Sequence, residues 1–223
     1  MREVANGVWV EEDEMWLPGR IWFPIRATIV RLKDGSLWVH SPIQPKPEWV
    51  AALKELGEVK AIVAPNLFHH LHVESFHAAF PAAKVYIAPG LRAKKGWDDT
   101  YSDLNGDLWP EDFEIREVQG CEKLGEWVFL HGASQSLIVT DVFFNFETVP
   151  SFLTRLLLRL FQAAPGLRIS KFLNRYIADR SVFKASLENA IEGEYKTLIM
   201  AHGSVLQGTK SEDLRKVIRA RFP

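Results

Sequence analysis

The sequence has a single cysteine, Cys121, among 223 residues. One cysteine can form neither an intramolecular disulfide nor a cysteine-based zinc knuckle, which excludes disulfide scaffolds and zinc-finger proteins. No stretch of the sequence approaches the roughly 18 apolar residues of a membrane-spanning helix. The first residues also lack the apolar core of a signal peptide. We therefore expect a cytoplasmic protein.

Strong net charge and glycine-rich nucleotide motifs are absent as well. The formal net charge is −1 at pH 7, so the sequence has no overall basic field and we expect no nucleic-acid partner. Neither a P-loop nor a Gly-x-Gly-x-x-Gly motif occurs, which leaves no indication of a nucleotide cofactor. Hydrophobic residues make up 47% and charged residues 25% of the chain, as is usual for a globular domain.

Short apolar runs alternate with helical patterns along most of the chain, which predicts a layered α/β fold. Strands are predicted at Ala27–Leu32, Ser36–His40, Val59–Ala64, Lys84–Ala88, Glu126–Leu130, Leu137–Phe144 and Thr197–Ala201. Helices are predicted at Pro47–Leu56, Leu71–Phe80, Ser151–Gln162, Ser170–Ile177, Ser181–Ile191 and Ser211–Arg221.

One segment is strongly basic. Residues 151–184 contain a single acid, Asp179, and seven bases, namely Arg155, Arg159, Arg168, Lys171, Arg175, Arg180 and Lys184. The favoured interpretation is a packed helix whose arginines extend to solvent. A helix on a membrane surface is a weaker alternative, and a lid over an anionic substrate is another.

Histidines give the most informative pattern. Six of the seven lie at or just beyond the carboxyl end of a predicted strand, namely His40, His69, His70, His72, His131 and His202. Open α/β sheets place their chemistry at such ends, and imidazole is the commonest protein ligand for metals. A single histidine of this kind is more often a loop or core residue. Four strand ends that carry imidazoles favour a shared site.

Asp141 lies within the apolar run Val139–Phe143. A carboxylate buried there without a partner costs several kcal/mol, roughly, so it needs compensation. A metal ion or a cluster of imidazoles would provide it. The alternative is a turn residue or a cap at a strand end.

Three segments resemble motifs of the metallo-β-lactamase fold superfamily. Thr140-Asp141, followed by Val-Phe-Phe, resembles its bridging-aspartate strand. The segment 129–136 resembles its Pro-Gly-His-Thr-x-Gly-Ser segment, and Ala201-His202-Gly203 resembles its late Gly-His-Gly element. Order and spacing agree over roughly residues 25–205. Within the superfamily the chain is most similar to an uncharacterised branch described as a domain of unknown function.

This resemblance implies a fold and a domain organisation. The expected fold is a four-layer αββα sandwich, metallo-β-lactamase-like, formed by residues 1–223 as one domain. The basic helical segment at about 151–191 would be an insertion in that domain.

The chain departs from the superfamily at the His-x-His-x-Asp-His motif of its active members. Asn66 and Phe68 stand where the first two histidines are expected. His70 takes the place of the aspartate, and Leu71 that of the last histidine. The resemblance therefore implies that one metal position has lost two of its three imidazoles.

We therefore predict a reduced site that binds one zinc, iron or manganese ion, or none. The predicted metal ligands are His70, His131, Asp141 and His202, and three of these (His70, Asp141 and His202) are also predicted to be catalytic. The residues predicted to contact substrate are Arg26, His40, His69 and His72. The sequence leaves open which of His69, His70 and His72 faces the pocket.

Three ligands and an open position suit hydrolysis of an ester, thioester or lactone-type small molecule. Cationic imidazoles would also suit an anionic ligand. One alternative is a catalytically inactive, metal-free binding module on the same fold. Another is a different enzyme class that uses the same pocket, such as an oxidoreductase or an isomerase.

Overall fold

A computed structural model that describes residues 1–223 contains fourteen strands and six α-helices. The strands are β1 (Arg2–Ala5), β2 (Val8–Leu17), β3 (Ile21–Arg31), β4 (Leu37–His40), β5 (Val59–Ala64), β6 (Lys84–Ile87), β7 (Ser102–Asp103), β8 (Phe113–Glu117), β9 (Trp127–His131), β10 (Ser136–Ile138), β11 (Phe144–Phe146), β12 (Gly166–Arg168), β13 (Thr197–Ile199) and β14 (Leu206–Gln207). The helices are α1 (Pro47–Leu56), α2 (Val73–Ala79), α3 (Leu91–Lys95), α4 (Phe152–Leu160), α5 (Arg180–Ala190) and α6 (Ser211–Arg221), with a 3₁₀-helix at Lys171–Arg175. Twelve strands form two facing sheets with helices outside them, and β11 and β12 form a separate two-stranded sheet.

Each sheet comes from one half of the chain. The first sheet has the order β1-β2-β3-β4-β5-β6-β7, and the second has the order β14-β13-β10-β9-β8. β4, β5, β6 and β7 are parallel to one another, as are β10 and β13. β9 is antiparallel to β10, which reverses the direction of the chain in the middle of the second sheet.

Three apolar clusters separate the layers. The cluster that includes Trp38 and Phe129 contains strand residues of both sheets and fills the space between them. A second cluster joins the first sheet to α1 and α2, and a third joins the second sheet to α5 and α6. Helix, sheet, sheet and helix are therefore stacked in that order, and the predicted αββα sandwich is confirmed.

Strand alternation decides which layer each side chain enters. In β4, Leu37 and Val39 face the helices, whereas Trp38 faces the other sheet. Such a period of two is the consequence of the pleated backbone. Helix α1 begins at Pro47, which is favoured in a first turn. It buries Trp49 and Leu53, which lie four residues apart on one face.

The predicted elements agree with the structure where the pattern is regular. Helices α1 and α6 have the predicted bounds. The predicted strand Leu137–Phe144 is wrong, because β10 ends at Ile138 and the chain bends before β11. The hairpin of β2 and β3 extends well before the predicted Ala27, since the charged residues 11–14 hide the apolar alternation of β2.

The basic segment divides into two structural parts. Helix α5 buries Phe183 and Leu187 against the second sheet, and Asp179 caps its amino end. Helix α4 buries only Thr154 and Leu158 and contacts β3 instead. None of the helices combines the length and apolarity that crossing a membrane requires.

Gly203 holds the loop after β13 close to β11. Its φ of 87° lies in the left-handed region, and an isolated bridge joins it to Asn145. A Cβ atom at this position would overlap the backbone of Asn145. The loop that carries His202 therefore depends on glycine here.

We predict that Gly203→Ala lowers the free energy of unfolding by about 2–4 kcal/mol, from left-handed strain and from the backbone overlap. Gly208→Ala is the matched control, because Gly208 has a φ of 73° but a Cβ atom at its position would meet no heavy atom within 4 Å. The control should lose only the strain contribution, about 1–2 kcal/mol. Urea denaturation measures both, and equal losses would contradict the close approach at Asn145.

Candidate functional site

Strand direction brings a set of polar residues to one edge of the sandwich. Asp141 and His202 follow β10 and β13, which are parallel and so end at the same edge. Asn66 and His69 follow β5, and Ser41 follows β4. The antiparallel β9 begins at this edge, just after Glu126. Both sheets therefore contribute to one site.

Three side-chain atoms converge at its centre. The Nε2 atoms of His69 and His202 are 3.2 Å apart, and Asp141 Oδ1 lies 3.3 Å from the first and 3.1 Å from the second. These three residues are the only group of histidine, cysteine and acidic side chains in the structure whose ligand atoms gather closely enough to hold a metal ion. All three are shielded from solvent, and His202 is buried.

The other ring nitrogens fix the orientation of both imidazoles. Nδ1 of His202 donates to the carbonyl oxygen of Pro24, at 2.7 Å. Since that nitrogen carries the hydrogen, Nε2 of the neutral ring presents a lone pair to the carboxylate of Asp141. Two acceptors in that position require a cation between them, which is either a second proton on the ring or a metal ion. Nδ1 of His69 forms a hydrogen bond with the hydroxyl of Ser41. The backbone of Ser41 has a φ of 54°, in the left-handed region.

Asn66 connects the cluster to the backbone. Its Nδ2 donates to Asp141 Oδ2 at 2.7 Å and to Glu126 Oε2 at 2.8 Å. Its Oδ1 accepts the backbone N–H groups of Phe68 and His69, each at 2.8 Å. Every donor and acceptor of the amide is thus used, and the turn that presents His69 is held in place.

Glu126 is a buried carboxyl group behind Asp141. Its Oε1 accepts the backbone N–H groups of Thr140 and Asp141, at 2.7 and 3.1 Å. Burial, and then the charge of Asp141, raises its pKa to about 7. Glu126 therefore fixes the backbone that carries Asp141, and each of its oxygens accepts at least one hydrogen bond.

Charges within the cluster stabilise one another. Burial alone would raise the pKa of Asp141, but His69 and His202 hold it well below its usual range. Burial also lowers the pKa of His69, yet the Asp141 carboxylate outweighs this effect and the net shift is upward. For His202, burial is the larger influence and its pKa falls. Asp141 is consequently an anion that has imidazoles as its principal partners.

A large apolar cavity opens beside the cluster. Its volume is about 460 Å³, and 17 of its 25 lining residues are hydrophobic. His69, Asp141 and His202 form part of its wall. The remaining wall comes from the β2–β3 hairpin, the turn after β5, helix α4 and the 3₁₀-helix. Such a cavity is typical in size and character of small-molecule sites, which measure about 300–1,000 Å³.

The predicted ligand set is partly corrected. Asp141 and His202 come together as predicted, but the neighbouring histidine is His69 and not His70. His70 is half-buried, its ring lies 6.3 Å from that of Trp97, and its Nδ1 has no hydrogen-bond partner. The gapless alignment with the superfamily motif fails here because the turn bonded to Asn66 sets which side chain points inward.

His131 lies at the wrong end of the sheet for a ligand. It is opposite Ser136, the first residue of β10, whereas Asp141 follows the last. Its Nδ1 is bonded to Ser134, and its ring packs against Phe113. The structure places His131 away from the cluster because β9 and β10 are antiparallel, so that the carboxyl end of β9 points away from the site.

Two of the predicted substrate contacts, His40 and Arg26, do not line the cavity. His40 lies on the same side of β4 as Trp38, and it is enclosed by Trp38 and Phe129. Arg26 is buried on the side of β3 away from the cavity. It is bonded to Glu12 and to the carbonyl oxygens of Met200 and Gly203. Arg26 therefore supports the loop that carries His202 and does not contact a ligand in the cavity.

The other two predicted contacts, His69 and His72, do line the cavity. Sequence reasoning gives no role to Ser41, to Glu126, or to Asn66 other than as a lost ligand. A signal exists for Glu126, because a carboxyl group at the start of an apolar strand needs a partner. The partner of Ser41 can be found only from the fold.

Comparison with known proteins agrees with this architecture. The structure is similar to the DIM-1 metallo-β-lactamase exposed to ceftazidime, with a TM-score of 0.70 and 12% identity over 99% of this chain and 96% of that one. It is also similar to the FIM-1 metallo-β-lactamase from Pseudomonas aeruginosa in its mono-zinc form, with a TM-score of 0.65 and 14% identity over 100% and 96%. A third similar structure is that of a protein described as a diflavin flavoprotein from Nostoc. Its TM-score is 0.64, with 11% identity over 98% of this chain and 96% of that one.

These likenesses establish the class by its fold: the chain has the metallo-β-lactamase fold. Sequence identities this low show the fold alone. A family profile described as "Domain of unknown function (DUF4336)" matches residues 5–92. None of the curated proteins matches the chain in sequence.

The donor set fits a metal ion. Ligands of a tetrahedral zinc ion, with bonds of about 2.0–2.1 Å, are about 3.3 Å apart. The separations of 3.1–3.3 Å among His69, His202 and Asp141 match this value. Hydrogen bonds from the second ring nitrogens and to the carboxylate are the usual support of such ligands. The cluster could hold zinc or a similar ion at the wall of the cavity.

We predict that His40 makes the protein less stable in acid. Burial lowers the pKa of His40 from 6.5 to about 3, so the unfolded chain binds a proton that the folded protein does not. Stability from this residue is therefore complete above pH 6.5 and is lost as the pH falls toward 3, by about 1.4 kcal/mol per pH unit. His40→Phe, which keeps the packing on Trp38, should remove this contribution. Urea denaturation at several pH values, with chelator present, tests it; unchanged slopes would contradict the burial of a neutral ring.

Proposed function

We propose that the protein is a single-metal hydrolase that acts on an ester, thioester or lactone-type small molecule. The observation that carries the proposal is the convergence of His69 Nε2, His202 Nε2 and Asp141 Oδ1 within 3.3 Å of one another, at the wall of a large cavity. Three protein ligands and one open position are the usual pattern of a catalytic zinc site. A metal ion there would supply Lewis-acid activation of water and of a carbonyl group.

The chain's own residues position this chemistry. Pro24 and Ser41 hold the two imidazoles through their Nδ1 atoms. Asn66 holds Oδ2 of Asp141, which leaves Oδ1 directed at the imidazoles. The apolar wall of the cavity limits the access of bulk water, which strengthens electrostatic interactions at the reacting group.

We propose one ion and not two because the polar residues beside the cluster already form hydrogen bonds within the protein. Asn66 occupies the position of a superfamily histidine but has all its hydrogen bonds satisfied within the protein. Glu126 accepts three hydrogen bonds, two of them from the backbone. His131, the remaining predicted ligand, lies at the other end of the sheet. A second metal ion would thus lack ligands.

A metal-free binding module is the second candidate, and one observation favours it. The three ligand atoms already lie within hydrogen-bonding distance of one another, so a protonated imidazole could satisfy Asp141 without a metal. In that case the cavity would bind its ligand without hydrolysing it. The two proposals differ in whether the protein binds metal.

We predict that the tag-free protein purifies with, or takes up, close to one equivalent of zinc, iron or manganese, measured by plasma mass spectrometry. His69→Ala and His202→Ala should lose the metal, because each removes one of three ligands. His70→Ala is the matched control and should keep it, since His70 stands outside the cluster. Hydrolysis of a panel of aryl esters and lactones should follow the metal content.

Asn66→Ala tests the role of a residue that holds Asp141 in position but is not itself a proposed metal ligand. It should weaken metal affinity by about 10–100-fold without abolishing it, as loss of a bond to a ligating carboxylate does. Metal retained in His69→Ala but lost in His70→Ala would overturn the assignment of ligands. Wild-type protein that binds none of the three metals even after soaking would favour the binding module.

A further inference from the structure

We propose that the cavity beside the site binds a linear alkyl or acyl chain, which makes esters of apolar chains the substrate class. The hydrolytic part of this inference rests on the proposed function; the binding part does not. Its basis is the distribution of polar atoms in the cavity wall, where one end is polar and the rest is apolar.

Two hydroxyl groups in the cavity wall away from the cluster already form hydrogen bonds within the protein. The hydroxyl of Thr154 accepts the backbone N–H of Trp22 at 2.8 Å. The hydroxyl of Ser170 accepts the N–H of Phe172 and donates to the carbonyl of Phe161. Half-buried His72 and Tyr176 are the remaining polar residues of the wall outside the cluster and its partner Ser41. A ligand group in the distal part of the cavity consequently finds little hydrogen bonding and has to be apolar.

Aliphatic and aromatic side chains from separate elements enclose that distal part. Met15 and Leu17 come from the β2–β3 hairpin, and Leu157 and Leu158 come from α4. Phe161 packs on Phe172 at 5.4 Å between ring centroids, which closes the helical side. The polar end holds His69, Asp141 and His202. A molecule with one polar head and one apolar tail matches both ends.

The reaction places the ester bond at the polar end and the chain in the cavity. The oxygen of water forms a bond to the acyl carbon, and the carbon–oxygen bond to the alcohol breaks. One proton of the water passes to the departing alkoxide, and the other remains on the new carboxyl group. The products are a carboxylic acid and an alcohol, and no oxidant or reductant takes part.

Binding of neutral 1-alkanols tests the cavity apart from hydrolysis. Titration calorimetry of hexanol, octanol and decanol into metal-stripped protein should show affinity rising about fourfold for each methylene until the cavity is full. The heat-capacity change should be negative, as burial of apolar surface requires. Leu157→Trp should abolish binding by filling the cavity. Leu156→Trp is the matched control, because Leu156 is exposed on the outside of the same helix.

A second filling variant, Leu17→Trp, guards against a folding defect in Leu157→Trp; circular dichroism confirms that each variant folds. Absence of alkanol binding in folded wild type, or equal loss in Leu156→Trp, would overturn the proposal. Alkanol binding without hydrolysis of any p-nitrophenyl ester would retain the cavity assignment and remove the hydrolase. Hydrolysis of p-nitrophenyl acetate with no preference for the decanoate would retain the hydrolase and remove the chain site.

A separate observation concerns the outer face of α4. We infer that this face docks on an anionic lipid surface. Phe152, Leu153, Leu156 and Leu160 are 76%, 47%, 57% and 69% exposed. At 100° per residue they fall on one side of the helix, within a stripe about 100° wide. Leu157 lies outside this stripe, because it faces the cavity.

Unpaired positive charge identifies the partner as anionic. None of the seven basic residues between 151 and 184 forms an ion pair with a carboxylate. Arg155 and Arg159 are exposed on α4 itself, beside the stripe. An exposed apolar stripe flanked by arginines is typical of helices that lie in the headgroup region of a bilayer.

Helix α4 carries the stripe on one side and contributes Leu157 and Leu158 to the cavity wall, whose exposed rim also includes apolar residues. Phe68, Leu71 and Phe172 line the cavity and are also partly exposed, at 40%, 64% and 39%. Lys94 lies over the ring of Phe68 and Arg175 over that of Phe172, which adds positive charge at this rim. Basic side chains beside exposed apolar side chains of the cavity wall repeat the pattern of α4, and this combination favours lipid over a protein partner.

Vesicle co-sedimentation tests the surface. Wild type should bind vesicles of phosphatidylcholine with phosphatidylglycerol more tightly than phosphatidylcholine alone, and salt should weaken the difference. Arg159→Gln should bind the anionic vesicles about fivefold more weakly, as expected for one basic residue near the surface. Leu156→Ser should weaken binding to both. Lys54→Gln and Val182→Ser, exposed substitutions on other helices, are the matched controls.

Failure of wild type to sediment with anionic vesicles would overturn the proposal. So would equal effects of the α4 variants and the controls. Concentration-dependent dimerisation in analytical ultracentrifugation that Leu156→Ser abolishes would assign the stripe to a contact between copies of the chain instead.

Discussion

The carboxylate of Asp141 is the constraint on which the rest of the site depends. It follows a short strand in the middle of an apolar sequence, where burial opposes its charge. Two imidazoles and one amide compensate it, and each of these is held in turn by Pro24, Ser41 or the backbone after β5. A buried anion thus organises turns from both sheets, and the same arrangement leaves its Oδ1 where a cation can bind.

Much of the fold can be predicted because its patterns are local. Pro47–Leu56 and Ser211–Arg221 show helical periodicity with clear starts, and their predicted bounds are the observed ones. The prediction misses part of the β2–β3 hairpin, since the acids of residues 11–14 lie on both faces of β2 and mask the alternation. Its apolar positions Met15 and Leu17 line the cavity, so the omission conceals one wall of the site.

The site is predicted less well because histidine positions alone do not give strand direction or side-chain alternation. His131 ends β9 and Asp141 follows β10, yet these two strands run in opposite directions. His40 ends a strand whose alternate residues enter the space between the sheets. His69 and His70 are adjacent, and only the hydrogen bonds of Asn66 decide between them. These are properties of the folded backbone that a single sequence does not state.

The three residues of the cluster come from opposite halves of the chain. His69 follows a strand of the first sheet, whereas Asp141 and His202 follow strands of the second. The cluster therefore lies between the two sheets and forms only when the two halves of the chain have docked. An ion that bound all three residues would link the two sheets. It would stabilise the folded state, in which the halves are docked, by mass action. The family profile matches residues 5–92, which include His69 but neither Asp141 nor His202. That region by itself therefore contains one of the three residues of the cluster.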